Sequence, residues 1–468
     1  MSSTAIADEL PPVDQKLPWP RLTTLGLQHV LVMYAGTVAV PLIVGGALGL
    51  SKADIAFLIN ADLFAAGIAT LIQALGLWIF GVRMPVMMGV TFAAVGPMIA
   101  IGLDPSTGLL AIYGATIVAG VFGILVAPLM GRVLGLFPPL VTGTVISLIG
   151  VSLMMVAFNW AAGGQPTISK TFEGTVYTTA NTGYGDPLGL AIAGFVLVVI
   201  MAITRYGRGL LGNVAVLLGI VAGALVSLAI GKMDFEGLQD AGWLAVTTPF
   251  HFGLPKFELS PIVAMCIVMT ITLVESTGML LAMSDITGKK MSTGLLTRGL
   301  RADGLGTLIG GVFNTFPYTS FSQNVGLVTV TGVRSRYVAA AGGVILIVLA
   351  LFPKIAHIVA SVPQFVLGGA GIVMFGMVAA TGVRILGAVD FERDRHALFV
   401  IAISLGLGLI PTLSPNFFQH LPAWAHPVTH SGIVLGTLAA VLINLFYNGM
   451  QSREQALRLA AQTAHSAE

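Results

Sequence analysis

Long apolar runs, separated by short polar ones, set the rhythm of this chain. A bilayer-spanning helix needs about 20 mostly apolar residues. Runs that qualify, or fall just short, lie at 25–49, 55–80, 91–103, 109–130, 136–159, 188–204, 211–230, 261–284, 304–313, 323–332, 338–351, 362–386, 397–410 and 432–447. The pattern predicts an all-α polytopic membrane protein with 14 transmembrane segments, several of them too short to cross alone.

One stretch breaks the rhythm. Residues 313–332 gather Asn314, Thr315, Pro317, Thr319, Ser320, Ser322, Gln323 and Asn324 between apolar segments. In hydrocarbon, irregular polar backbone is tolerated only where protein or a cavity shelters it. Pro317 has no N–H to donate. Ser322 is read as the cap of a short helix. Gln323 and Asn324 then fall in its first turn, where free N–H groups and the dipole favour an electron-rich ligand. The same device occurs once before: Thr91 follows Pro85 by six places, as Gln323 follows Pro317, with an offset of 232 residues. Pro138 with Gly143 is echoed by Pro363 with Gly368. We read two structural repeats, each with a broken helix. Seven segments per repeat is an odd number, which inverts the second repeat relative to the first (a 7+7 arrangement).

Composition agrees with a membrane protein. Apolar residues make up 56% of the chain and charged residues 9%, against about 25% charged in soluble domains. A net charge of +2 gives no reason to expect a nucleic-acid partner. Cys266 is the single cysteine, so no intrachain disulfide is expected. Residues 1–20 are polar and lack the apolar core of a signal peptide, and residues 451–468 read as a polar tail. With the N-terminus cytoplasmic, the count places all but five of the 22 Lys and Arg residues on the cytoplasmic side. The five are Lys52, Lys170, Lys232, Lys256 and Lys354. This is the positive-inside bias, and it puts both termini in the cytoplasm. The connection from Trp160 to Pro187 reads as turn-rich and as the longest on the outer side. Trp243 and Trp424 fall near outer boundaries, where aromatic anchors belong.

Glu275 stands mid-run in an apolar segment, and an ionisable group there is a functional hypothesis by default. The plain alternative is a carboxyl bonded to a neighbouring helix. Thr272, Glu275 and Met279 share a helix face; Met279 serves as pocket wall or as simple packing. His29, one turn into the first segment after Gln28, reads as structural support for the site, with proton transfer as the alternative. Asp303 begins the short ninth segment beside Arg301, as a dipole-favoured carboxylate or as a proton or gating group. Asp62 reads as solvated near an outer helix end, and Arg384 as a positive-inside residue. Phe92, at the first break, is a candidate stacking platform, and the Gln323 and Asn324 amides suit the edge of a planar heterocycle. The chain shows no phosphate-binding loop, metal cluster or hydrolase elbow, so neither a cofactor, a metal nor an enzymatic activity is expected.

These residues resemble the nucleobase–ascorbate transporter family, also called nucleobase:cation symporter-2, over about residues 20–450. The most specific piece is QNVGLVTVTG, from Gln323 to Gly332, which matches the family signature. Gln28 with His29, Thr91 with Phe92, Glu275, and the run Ala302, Asp303, Gly304 support it. The resemblance implies a core domain (21–131 and 258–361) and a gate domain (132–257 and 362–450). It also implies short strands near 86–90 and 318–321, a homodimer held by the gate, and elevator-like movement of the core. By the same resemblance Glu275 and Gln323 bind a base, Phe92 stacks on it and Asn324 shapes affinity. Thr91, Met279 and Ser322 complete the expected substrate set, and Glu275, Asp303 and His29 the proton-coupling set. Gln323 in place of a Glu points to purines, and Met279 in place of an Asp points away from strict xanthine selectivity. The expectation is a proton-coupled purine importer of the bacterial inner membrane, for urate first and xanthine second. Alternatives are a symporter for hypoxanthine, guanine or uracil, or an inorganic-anion exchanger of the same architecture. A channel would show a continuous polar lane, and here the polar residues gather at mid-depth.

Overall fold

Local chemistry sets the helix ends. In the computed structural model, which describes residues 11–172, 175–392, 394–452 and 455, α1 (Trp19–Ala47) starts behind Pro18 with Pro20 in its first turn. Ser51 caps α2 (Lys52–Leu75) by accepting from the Asp54 N–H, and Gly76, at φ +79°, ends it. The chain continues through β1 (Met88–Val90), α3 (Val95–Leu103), α4 (Leu109–Val126), α5 (Pro139–Ala161), α6 (Pro187–Tyr206) and α7 (Ala215–Ala229). The second half runs α8 (Leu259–Thr287), α9 (Thr293–Val312), β4 (Tyr318–Ser320), α10 (Ser322–Thr331), α11 (Arg336–Ala350), α12 (Pro353–Ala360), α13 (Gln364–Leu386), α14 (Ala397–Leu413) and α15 (Gly432–Asn448). Among the described residues, seven helices are long and apolar enough to cross a bilayer unaided, α1, α2, α5, α6, α8 and α13 among them, and α11 and α12 meet at an 83° bend. The protein is a helical, multi-pass membrane protein.

The two breaks meet. β1 and β4 form an antiparallel ladder in the register Met88 to Ser320, Gly89 to Thr319 and Val90 to Tyr318. Thr91 N–H extends it to Pro317 O (2.9 Å), and Phe321 N–H to Met87 O (2.9 Å). Every backbone group so paired is one that the bilayer interior would otherwise leave unsatisfied. Ser320 lies 232 positions after Met88, the spacing between the two proline-led motifs. Gly89 is required here, because a Cβ would fall 2.3 Å from the Phe321 ring.

The second motif pair marks matching helix starts. Pro138 precedes α5 and Pro363 precedes α13, each 23 residues long. These two helices pack along their lengths, closely enough that a Cβ at Gly150 would lie 2.2 Å from Ala379 N. Helices α5, α6, α7, α13, α14 and α15 pack mainly with one another; α1 to α4 and α8 to α12 do the same.

Several expectations need correction. The segment 160–187 holds a β-hairpin, β2 (Thr167–Phe172) against β3 (Thr175–Ala180), within what reads as turns; its Thr, Ile, Val and Tyr content suits strands. The connection from Ile230 to Glu258 is the longer one, and its contacts fall on the group formed by α1 to α4 and α8 to α12. Within it Ala245 N–H bonds Leu351 O, Phe250 N–H bonds Val312 O, and His251 stacks on Phe57 at 3.7 Å. Helix α12 was not anticipated. Ser322 is the first residue of α10 rather than its cap; Phe321 holds the cap position without a side-chain hydrogen bond. Helix α9 starts at Thr293, so Asp303 lies in its middle, fully buried, and not at its start. Its first turns are polar enough to hide them from a hydropathy reading. His29 is ten residues inside α1, nearly three turns rather than one. Asp62 is fully buried, not solvated. The remaining tail residues, and Arg393, Arg453 and Arg458 among the cytoplasmic charges, lie outside the described residues.

Candidate functional site

Between the two helix groups lies a cavity of about 660 Å³. Helix α8 contributes Glu275, Gly278 and Met279, the first turns of α10 contribute Ser322, Gln323 and Gly326, and α13 supplies the opposite wall through Met374, Val378 and Thr381. Glu275, Met279 and Gly278 fall on one face by helical spacing. Phe137, Asn213 and Arg384 line its mouth, at the end where α13 finishes.

Ser322 and Gln323 are exposed to this space, and Glu275 is half-buried beside it. Ser322 Oγ donates a long 3.4 Å bond to Gln323 Oε1, which leaves the Gln323 amide N–H groups free. Among the described residues no protein group hydrogen-bonds the Glu275 carboxyl. The two half-helices differ at their starts. Thr91 Oγ1 accepts from Ala93 N–H (3.2 Å) and closes off the first, whereas α10 has no side-chain cap. The free N–H groups and dipole of α10 therefore remain available to an electron-rich ligand.

The sequence-derived residues separate into two sets. Glu275, Met279, Ser322 and Gln323 share the cavity wall. Thr91, Phe92, Asn324, His29 and Asp303 stand behind it. Phe92 packs edge-on against Phe375, with centroids 5.7 Å apart. Asn324 Nδ2 donates to His29 O (2.9 Å) and lies 3.1 Å from His29 Nδ1, which binds α10 to α1. Asp303 Oδ1 accepts from Gln73 Nε2 (3.4 Å), while Ser276 and Ser320 stand close by and Glu275 acts on it through space.

Sequence reasoning passed over Gln73 and Ser276 and placed Asp62 in water. Gln73 is fully buried; it donates to Gly299 O (3.1 Å) and accepts from Val82 N–H (3.0 Å), tying Asp303 to the segment that leads into β1. Ser276 accepts from Ser320 N–H (3.1 Å) and pairs with Thr319 Oγ1 (3.0 Å), fastening the second break to α8 one residue from Glu275. Asp62 accepts from Tyr318 OH (2.5 Å) and Thr315 Oγ1 (3.3 Å). Polar residues inside otherwise apolar runs were the available signal for Gln73 and Asp62.

Residues 20–417 match a family described as a permease family. The chain is 54% identical over 440 residues to the uric acid transporter UacT of Escherichia coli, covering 94% of this chain and 88% of that one. It is 43% identical over 425 residues to a xanthine permease of Bacillus subtilis, covering 91% and 93%. Its fold is similar to the transmembrane domain of BicA, a cyanobacterium bicarbonate transporter, with a TM-score of 0.57 at 16% identity over 92% of this chain and 100% of that one.

Proposed function

This chain belongs to the nucleobase–ascorbate transporter family and is a carrier rather than an enzyme, and from that premise we propose that it imports purine bases, urate first and xanthine second, together with protons. The observation that carries the reading is one cavity wall holding a carboxyl, a free amide and an uncapped helix start: Glu275, Gln323 and the first turn of α10. A purine edge alternates N–H and C=O or ring nitrogen. The Gln323 amide offers both a donor and an acceptor to such an edge. A protonated Glu275 can donate to a ring nitrogen or oxo group, whereas an ionised one would repel a urate anion. Proton and urate thus enter the same cavity on terms that favour their joint occupancy. Asp303, near Glu275 and bound to Gln73, is the next proton site in line, and His29 supports it by holding Asn324.

The architecture we assign is 14 spans in two inverted sets of seven, with both termini cytoplasmic, in the bacterial inner membrane. The core comprises 21–131 and 258–361, and the gate 132–257 and 362–450. The core carries Glu275 and Gln323 past the gate wall formed by α5 and α13. The segregated helix packing supports this division, and the family resemblance supports a homodimer held through the gate.

The test is uptake of labelled urate, xanthine, hypoxanthine and uracil in cells that lack their own carriers, with and without a proton ionophore. Saturable urate uptake, blocked by the ionophore and by excess xanthine but not by uracil, is expected. Accumulation of bicarbonate with no purine uptake would overturn the reading.

A further inference from the structure

We propose that the inner end of α2 forms a binding site for an anionic phospholipid headgroup. Lys289, Arg336 and Arg83 converge on residues 76–83, and Arg298 stands near enough to act on Lys289. Lys289 Nζ donates to Arg83 O (2.9 Å) and Val82 O (3.3 Å). Arg336 Nη1 donates to Leu75 O (3.1 Å). Gly81 N–H bonds Arg298 O (2.8 Å), and the Arg83 side chain lies across Gly76, where an added Cβ would meet its Nε at 2.5 Å. Of the groups acting on Lys289, Asp14 is the one of opposite sign, and it is engaged by Arg336 Nε at 2.7 Å.

Positive-inside placement and the α2 dipole explain why cations gather here. They do not explain Arg298, whose Nε and Nη2 are shut from solvent without a hydrogen-bond partner. In a half-buried guanidinium, donors left in that state are costly, and a phosphate oxygen reaching its edge would satisfy them. Burial, opposed by Asp14 and assisted by the three arginines, also holds the Lys289 ammonium below the usual lysine range.

A second feature indicates that the anion carries acyl chains. Between α2 and the cations, residues 77–80 close into a tight turn through Leu77 N–H to Phe80 O (2.9 Å) and Phe80 N–H to Leu77 O (2.8 Å). Its tip presents Leu77, Ile79 and Trp78, the last 84% exposed. Trp78 adopts φ +48° and Arg83 φ +56°, strained for side chains with a Cβ. Exposed apolar residues led by a Trp and flanked by basic groups fit a membrane interface. A free phosphate would leave this tip unexplained.

The test uses the full-length carrier in phosphatidylcholine nanodiscs, with and without phosphatidylglycerol, reading Tm and the lipid retained in native mass spectrometry. Anionic lipid is expected to raise Tm and to co-purify. In Arg83→Gln/Lys289→Gln both effects should be lost, each charge weakening binding about fivefold, while Arg132→Gln, elsewhere on the same face, keeps them. Equal shifts in all three proteins would overturn the proposal. So would inorganic phosphate reproducing the shift in phosphatidylcholine alone, which would assign the site to free anions. Should the double variant fail to fold, the wild-type shift decides: it should collapse as salt rises, and a salt-independent shift would refute a charge-based site.

Discussion

Two carboxyls inside the helical bundle illustrate opposite uses of the same chemical group. Glu275 faces a cavity and has no hydrogen-bond partner among the described residues, while Asp62 is sealed against Tyr318 and Thr315. Glu275→Gln keeps the size and a donor but can no longer gain or lose a proton. We expect this variant to bind purine yet lose accumulation against its gradient, measured as accumulation ratio against imposed pH difference. A variant that still concentrates urate in step with the gradient would move coupling to Asp303. Asp62→Ala removes the carboxyl that accepts from Tyr318 and Thr315 in a dry interior and leaves the Tyr318 hydroxyl the main-chain O of residue 62 (2.9 Å). That should cost about 1–3 kcal/mol, seen as a lowered Tm, with Asp62→Asn much closer to wild type because its amide oxygen still accepts. Identical Tm values for all three proteins would show that the pair contributes nothing. Glu275 and Gln323 could be read from sequence because a polar group in an apolar run, or at a helix break, stands out against its neighbours. The role of Asp62 could not. Whether a polar residue meets water or protein depends on what packs against it, and its partner Tyr318 lies 256 residues away.

Elements were legible where hydropathy changes sharply and obscure where helices outrun the hydrocarbon. The proline-led breaks and the starts of α5 and α13 follow from single residues. Helix α9 begins eleven residues before its apolar run because its early turns lie outside that run. The joining of elements needs the fold. Asp104 Oδ2 lies 3.3 Å from His426 Nδ1, and Ser260 Oγ donates to Trp424 O. Both contacts link the two helix groups on the side opposite the cavity mouth. Burial raises the Asp104 carboxyl, but hydrogen bonds from Ser106 and the His426 contact outweigh it and hold the group below its ordinary 3.8. A depressed carboxyl contributes stability above its unfolded value and loses it as pH falls through the folded one. The contact therefore keeps that contribution above about pH 4 and loses it only in stronger acid. If the two groups must part there during transport, oxidised cysteines at Asp104 and His426 in a Cys266→Ser background should stop uptake, and reductant should restore it. Full uptake by the crosslinked protein would exclude separation there.

For the whole molecule, charge segregation makes a prediction independent of the cavity. Cysteine at Gln239, in the long connection, should react with an impermeant reagent from outside, and cysteine at Lys290 only from inside. Reaction of both from one side would refute the fourteen-span count. Coupling adds a second expectation. One proton with one urate anion moves no net charge, so a pH difference should drive that cycle and a membrane potential should not. With a neutral purine the same cycle carries one charge, worth about 2.3 kcal/mol per 100 mV. Accumulation in proteoliposomes under a potassium diffusion potential distinguishes the two; equal potential dependence for both substrates would mean a different stoichiometry.

The ladder between β1 and β4 bears on how the carrier is made. Neither half contains its own partner strand. Val90 leaves the ribosome 228 residues before its partner Tyr318, which at synthesis rates of about 5–20 residues per second is an interval of roughly 10–45 seconds. Throughout it, the peptide groups of Met88–Val90 must find substitutes inside the bilayer, each at a cost of several kcal/mol if left bare. The nascent N-terminal half is thus a client for water or for the insertion machinery until β4 emerges. Stalling translation short of Tyr318 should leave that half protease-sensitive at the break, and stalling well beyond Gly332 should protect it.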